Sequence, residues 1–150
     1  MRDLSVANVM VVDDDPSTVS LLKSALTLSG VETVHCHING LRALAQIIRG
    51  EQPVDLILCD LSMPHMDGVE FFRRLAELGY TGGLIVVSGE DERIINMIKK
   101  LARVQKLNLF GNLEKPVDAE AVRLVIDQWA RHVPVPTRSE ERRVGKECRL

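Results

Sequence analysis

The chain has 150 residues, enough for one domain around a single core and too few for two. Hydrophobic residues make up 45% and charged residues 27%, an ordinary globular mix, and nineteen basic against twenty-one acidic residues leave a formal net charge of −2. That balance gives no bulk attraction to nucleic acid or to an anionic membrane, and no run approaches the about eighteen apolar residues of a membrane span.

The N-terminus carries Asp3 and lacks an apolar stretch of signal-peptide length, so the expected location is cytoplasmic, with no direct nucleic-acid binding and no membrane partner. Cys36, Cys59 and Cys148 are too widely spaced for a disulfide framework or a tetrathiolate metal site. Cys36 and Cys59 fall in apolar, strand-like segments and are expected as buried free thiols.

Short apolar runs alternate with segments of helical period. Val9 to Val12 reads as a strand that ends in Asp13, Asp14 and Asp15. Pro16 suits a first helical turn, Asp15 a cap, and Val19, Leu22 and Leu26 recur on one face until Gly30. Val31 to Cys36 reads as a second strand, followed by a helix with Leu41, Leu44, Ala45 and Ile48 on one side and a stop at Gly50. Val54 to Cys59 is a third strand running into Asp60, then a loop from Ser62 to Gly68 and a helix marked by Val69, Phe72 and Ala76. Leu84 to Val87 forms a fourth strand ending at Ser88, and a helical stretch from Asp91 to about Leu107 carries Ile94, Ile98 and Leu101. A weak fifth strand, Leu109 to Leu113, precedes Glu114-Lys115-Pro116, and a last helix from Asp118 bears Val122, Val125, Ile126 and Trp129. Strands without polar alternation are buried on both faces, as parallel strands covered by helices are. The expectation is therefore an open α/β sandwich of five strand–helix units.

From His132 the composition shifts to a Val133-Pro134-Val135-Pro136 linker, and Arg138 to Leu150 is charged and aperiodic. The run from Arg138 to Cys148 resembles an in-frame translation of a common high-throughput sequencing adapter. The expected organisation is a domain over 1–132 and, over 133–150, a linker and a non-native tail, with the natural frame cut near Thr137. A genuine disordered basic tail is the alternative, and the codons decide between them.

In an open parallel sheet the loops at the carboxyl ends of the strands line one crevice. Strand one delivers Asp13 and Asp14 there, strand three Asp60, strand four Ser88 and strand five Lys115. Clustered carboxylates repel unless a cation is present, and hard oxygen ligands suit Mg²⁺. A carboxylate oxygen can attack phosphorus in line when a metal and a fixed ammonium neutralise the equatorial oxygens. Lys115 offers that ammonium and Ser88 a hydroxyl donor, while Pro116 restricts the lysine backbone toward an extended form. Each of these residues alone has a structural reading: a helix cap, a turn residue, a solvated lysine. The convergence is what points to phosphoryl chemistry.

The motifs Val11-Val12-Asp13-Asp14-Asp15-Pro16, Cys59-Asp60-Leu61-Ser62-Met63-Pro64-His65-Met66-Asp67-Gly68, Val87-Ser88-Gly89 and Glu114-Lys115-Pro116 resemble, in that order, those of two-component response-regulator receiver domains. The resemblance spans about Asn8 to Arg131 and implies a flavodoxin-like doubly wound five-stranded parallel sheet of order 2-1-3-4-5, for which a receiver is itself a standard example. It implies that Asp60 accepts a phosphoryl group from a histidine kinase or phosphotransfer protein. It further implies Mg²⁺ held directly by Asp14, through water by Asp13, and by Asp60 and the Ser62 backbone carbonyl. Ser88 becomes the switch hydroxyl and Lys115 the partner of the aspartyl phosphate. Such a protein is a switch with autophosphorylation and autodephosphorylation activity rather than a metabolic enzyme.

Departures from the pattern bear on output. Receivers carry Tyr or Phe three positions before the lysine, where this chain has Asn112; Phe110 lies two residues earlier, an even shift that keeps the side of a regular strand but changes the depth. The Ser88-to-Lys115 interval is longer than usual. The stretch Leu107 to Val117 resembles receivers that precede EAL-type cyclic-di-GMP phosphodiesterase domains, which with the truncation implies a lost output domain. A homodimer through helix four, strand five and helix five is a further expectation for the family. His35 and His37, two apart, have no third ligand nearby and read as a strand end, and His65 reads as a surface residue beside Asp60. Two other functions compete: a degenerate receiver serving as a docking module, and a haloacid-dehalogenase-like phosphatase using Asp13, Asp15, Ser88 and Lys115. The second lacks a late acidic pair and leaves the Asp60 loop without a role.

Overall fold

The structure, a computed structural model, describes residues 3–62 and 66–132. After a 3-10 turn at Leu4–Val6, strands and helices alternate: β1 (Asn8–Val12), α1 (Pro16–Leu28), β2 (Thr33–His37), α2 (Gly40–Arg49), β3 (Leu56–Asp60), α3 (Gly68–Glu77), β4 (Gly83–Ser88), α4 (Glu92–Val104), β5 (Asn108–Glu114) and α5 (Ala119–Arg131). All strand pairs are parallel and the sheet order is β2-β1-β3-β4-β5. This is the expected flavodoxin-like order.

The alternation of side chains across each strand builds two cores. Met10, Val12, Ile57, Cys59, Leu84 and Val86 point to one side, under α2, α3 and α4. Val9, Val11, Leu56, Leu58, Ile85 and Val87 point to the other, under α1 and α5. Every residue of β3 and β4 is buried, which is why those strands read as uninterrupted apolar runs. Helix starts are fixed by side-chain caps: Asp15, Asn39, Asp67 and Asp91 each accept a backbone N–H of the following turn. The cap expected of Asp15 is therefore present, with Thr18 Oγ1 donating to it as well at 2.7 Å.

Four expectations are corrected. The inner face of α2 is Gly40, Ala43, Leu44 and the half-buried Ile47, while Leu41, Ala45 and Ile48 lie outside. On α3 the buried side is Gly68, Phe71, Phe72 and Leu75, with Val69 exposed. Cys36 is exposed on the edge strand β2, and among the described residues only Cys59 is a buried thiol. Helix α4 ends at Val104, and Leu107 turns back so that its N–H meets the Ala102 carbonyl at 2.8 Å.

A fifth difference concerns β5. Leu84 pairs with Leu109, but Ile85 pairs with Gly111, so Phe110 is a surplus residue in a β-bulge. The bulge resets the alternation: Leu109 and Asn112 face α4, whereas Phe110, Gly111 and Leu113 face α5. Phe110 and Asn112 thus lie on opposite sides of the sheet, and the Phe110 ring sits edge-on to His132, 4.9 Å between centroids.

Candidate functional site

Order reversal at β1 and β3 opens the crevice at their carboxyl ends. Asp13 follows β1 and is buried, Asp14 beside it is exposed, and Asp60 closes β3 almost fully buried. One carboxylate oxygen from each of the three lies within 4.8 Å of the others, and this is the one such cluster of three ligand-type side chains among the described residues. Lys115, just past β5, reaches across β4 so that its Nζ stands 3.1 Å from Asp60 Oδ2 and 3.3 Å from Asp13 Oδ2. Its backbone N–H donates to the Ser88 carbonyl at 3.1 Å, which fixes the lysine against the end of β4. The Lys115–Pro116 peptide is cis.

Backbone donors hold the acids in place. The Ser62 N–H donates to Asp60 Oδ1 at 3.1 Å, and the Asp15 N–H donates to Asp13 Oδ1 at 2.9 Å. Ser88 is buried, and its Oγ accepts the Glu90 N–H at 2.9 Å, leaving its own proton to donate. The Ser62 hydroxyl donates to Glu90 Oε2 at 3.4 Å. Glu90 is the participant that sequence reasoning missed: a glutamate after Gly89 reads as a solvated surface charge, and no pattern marks its reach to Ser62. A cleft of about 610 Å³, lined by Asp14, Ser62, Glu90 and Met97 among others, opens beside the cluster.

Burial raises the Asp13 carboxyl from its ordinary value; the Asp15 N–H opposes this, the Asp60 charge adds to it, and Lys115 opposes it. Burial also works against the Lys115 ammonium, but the hydrogen bond to Asp60 and the charges of Asp13 and Asp60 outweigh it and hold its pKa above the ordinary lysine value. Cys59 is pushed well up by burial, then by Asp60 and Asp13, and stays a thiol.

Three carboxylates facing one ammonium leave negative charge uncompensated. Asp13 Oδ2 is buried and, apart from the lysine contact, has no hydrogen-bond partner among the described residues. An all-oxygen donor set with such an orphan atom fits a small, hard divalent cation. The site residues expected from the strand ends, Asp13, Asp14, Asp60, Ser88 and Lys115, thus converge. The histidines do not: His35 and His37 lie on β2, where His37 Nε2 is 2.5 Å from Gln46 Oε1. His65 falls outside the described residues, as do Met63, Pro64 and 133–150. No helix among the described residues is long and apolar enough to cross a membrane.

The chain as a whole is similar to known proteins. A family model described as the response regulator receiver domain matches residues 9–127. The autoinducer 1 sensor kinase/phosphatase LuxN of Vibrio harveyi is 34% identical over 122 residues, which cover 81% of this chain and 13% of LuxN. The cyclic di-GMP phosphodiesterase RocR of Pseudomonas aeruginosa is 32% identical over 149 residues, covering 93% of this chain and 35% of RocR. A response regulator from Colwellia psychrerythraea superposes with a TM-score of 0.71 at 31% identity, covering 84% of this chain and 98% of that one. The chain therefore spans a small part of LuxN and about a third of RocR.

Proposed function

The chain belongs to the response regulator receiver family, and on that premise we propose that it is a phosphoacceptor switch in which Asp60 takes a phosphoryl group from the phosphohistidine of a sensor kinase or phosphotransfer protein. An Asp60 carboxylate oxygen forms a bond to phosphorus as the phosphorus–nitrogen bond of the donor breaks, and the imidazole leaves with the electron pair. Lys115, already 3.1 Å from Asp60 Oδ2, is placed to hold the transferred group's negative charge. Ser88 offers its free hydroxyl proton to a phosphoryl oxygen, while the Glu90 N–H keeps the hydroxyl oriented. Asp13, Asp14, Asp60 and the Ser62 backbone carbonyl are the groups that would hold Mg²⁺, which supplies charge neutralisation for the phosphoryl oxygens when bound.

The observation that carries this reading is the lysine bridging two strand-end carboxylates, Asp60 and Asp13, beside a third. Incubation with acetyl phosphate and Mg²⁺ should label wild-type protein and leave Asp60→Asn unlabelled. Equal labelling of the two would overturn the assignment. Removing Mg²⁺ with a chelator should abolish the wild-type signal as well.

The same reading makes the protein a switch with its own dephosphorylation activity, acting in the cytoplasm through an output beyond residue 132. The extent of the likeness to RocR, 93% of this chain, favours cyclic-di-GMP turnover as that output. Pairing of two copies through α4, β5 and α5 is part of the proposal, as is the non-native character of the tail after Thr137. Asn112 favours a second reading, a scaffold that docks without switching, because the α4-facing site of the usual aromatic holds an amide. Beryllofluoride separates the two: a switch shifts α4 and β5 amide signals, a scaffold binds without doing so. The dehalogenase-like phosphatase is set aside, since it leaves Asp60 idle and is not the family matched.

A further inference from the structure

Helix α2 carries two apolar stripes, and among the described residues only one has a partner. The inner stripe packs tightly: a Cβ on Gly40 would meet Met66 Sδ at 3.1 Å and Phe71 Cδ1 at 3.2 Å. Roughly a third of a turn around the helix lie Leu41, Ala45 and Ile48, at the i, i+4, i+7 spacing of a single face. Leu41 is 52% exposed and Ile48 66%, and Ile38, just ahead of the cap, is 57% exposed. None of these belongs to either core. Isolated exposed apolar residues need no explanation, but an ordered stripe along a helix marks an interaction surface.

Charge says what covers it. Arg42 and Arg49, seven residues apart, fall together on one flank of the stripe, and α2 contains no acidic residue. Neither arginine has an ion-pair partner among the described residues. On neighbouring α3, by contrast, Arg73 and Arg74 are both neutralised by Glu70, and Arg73 also by Glu77. The outer face of α2 is thus apolar with one uncompensated basic edge. A second copy packed antiparallel across a two-fold would set each arginine flank against itself. An anionic bilayer calls for a denser basic face than two cations.

We propose that this face docks an amphipathic helix of a partner protein, one with an apolar stripe bordered on one side by Asp or Glu. The position is close to the carboxylate pocket: the His37 carbonyl accepts the Asp13 N–H at 3.0 Å, and the chain then runs through Ile38 and Asn39 into α2. A docked helix therefore lies near the chain segment that pairs with Asp13 at the rim of that pocket, away from the α4–β5–α5 side.

The test is a selection of helical peptides, about four turns long and of unbiased charge, against the whole chain. The selected peptides should carry an apolar stripe with acidic residues on one flank, and their binding should shift backbone amides between Ile38 and Arg49 in isotope-labelled protein. Arg42→Glu with Arg49→Glu should weaken binding about tenfold or more, and Leu41→Ser with Ile48→Ser should abolish it, with melting temperatures unchanged because these side chains are exposed. The proposal fails if no peptide is selected, if peptides map elsewhere, or if basic or neutral peptides bind α2 equally well. It also fails if the protein sediments as a dimer that Leu41→Ser dissociates, or if phosphatidylglycerol vesicles capture it through α2.

Discussion

Asp13 is the buried member of the carboxylate trio, and its neighbours pull it in opposite directions. Burial is the largest influence and raises its pKa, so the folded protein holds a proton there more readily than the unfolded chain does. In acid, below the unfolded value, both states are protonated and the residue costs nothing. As the pH rises through the unfolded value toward the folded one the cost grows, and it persists at neutral pH. Asp13→Asn should therefore stabilise the metal-free protein at neutral pH by about 1 kcal/mol, a gain that fades on acidification. Thermal melts across pH in the presence of a chelator check this. Added Mg²⁺ should reverse the order, raising the melting temperature of the wild type and not of the variant. The carboxylates and Ser88 were legible in the sequence because they stand at the ends of apolar strands, and Lys115 because it sits in the Glu114-Lys115-Pro116 motif behind a weak one. Glu90 was not, since its role depends on the side chain folding back over Ser62 at 3.4 Å.

Helix ends separate what patterning reveals from what it hides. Three helices close with the same pair of backward backbone hydrogen bonds: α1 at Gly30 and Val31, α3 at Gly79 and Tyr80, and α4 at Lys106 and Leu107. All three turns need a left-handed residue, and the first two use glycine. Lys106 adopts φ 62 with a full side chain. Lys106→Gly should therefore stabilise the fold by roughly 0.5–1 kcal/mol, the relief of strain exceeding the added freedom of the unfolded chain. The denaturant midpoint measures it, and an unchanged or lower midpoint counts against the strain. Glycine stops made α1 easy to bound by eye, whereas a lysine stop let α4 read as running on to Leu107. Helix α2 misled for another reason. With Leu41, Ala43, Leu44, Ala45, Ile47 and Ile48 in ten residues, periodicity offers two faces and cannot choose between them. Only the sheet and Phe71 decide.

At the level of the whole molecule, the five-unit alternation was visible because parallel strands covered on both faces lose their polar alternation. Strand order was not visible in the residues themselves; it came with the family likeness. Helix α5 seats closely on the sheet where Trp129, the sole tryptophan, is fully buried. A Cβ at Gly83 would stand 2.8 Å from Trp129 Nε1 and 3.0 Å from Leu56 Cδ1. Gly83→Ala should accordingly cost about 1–3 kcal/mol, read as a lower melting temperature with a red-shifted tryptophan emission. In the wild type, tryptophan emission and far-ultraviolet dichroism should change together on denaturation, as a single cooperative unit requires. Separate transitions would mean that α5 undocks alone.

The bulge at Phe110 bears on how such a chain tolerates changes of length. A surplus residue in a regular strand would invert every side chain after it and carry Lys115 out of reach of Asp60. Here one residue is looped out at the edge of the sheet, the pairing resumes at Gly111, and Leu113 and Glu114 meet Val87 and Ser88 in step. The surplus residue is thereby absorbed before it reaches the lysine. The edge strand acts as a slack joint, taking up one extra residue on the α4–β5 side while Lys115 stays within reach of Asp60.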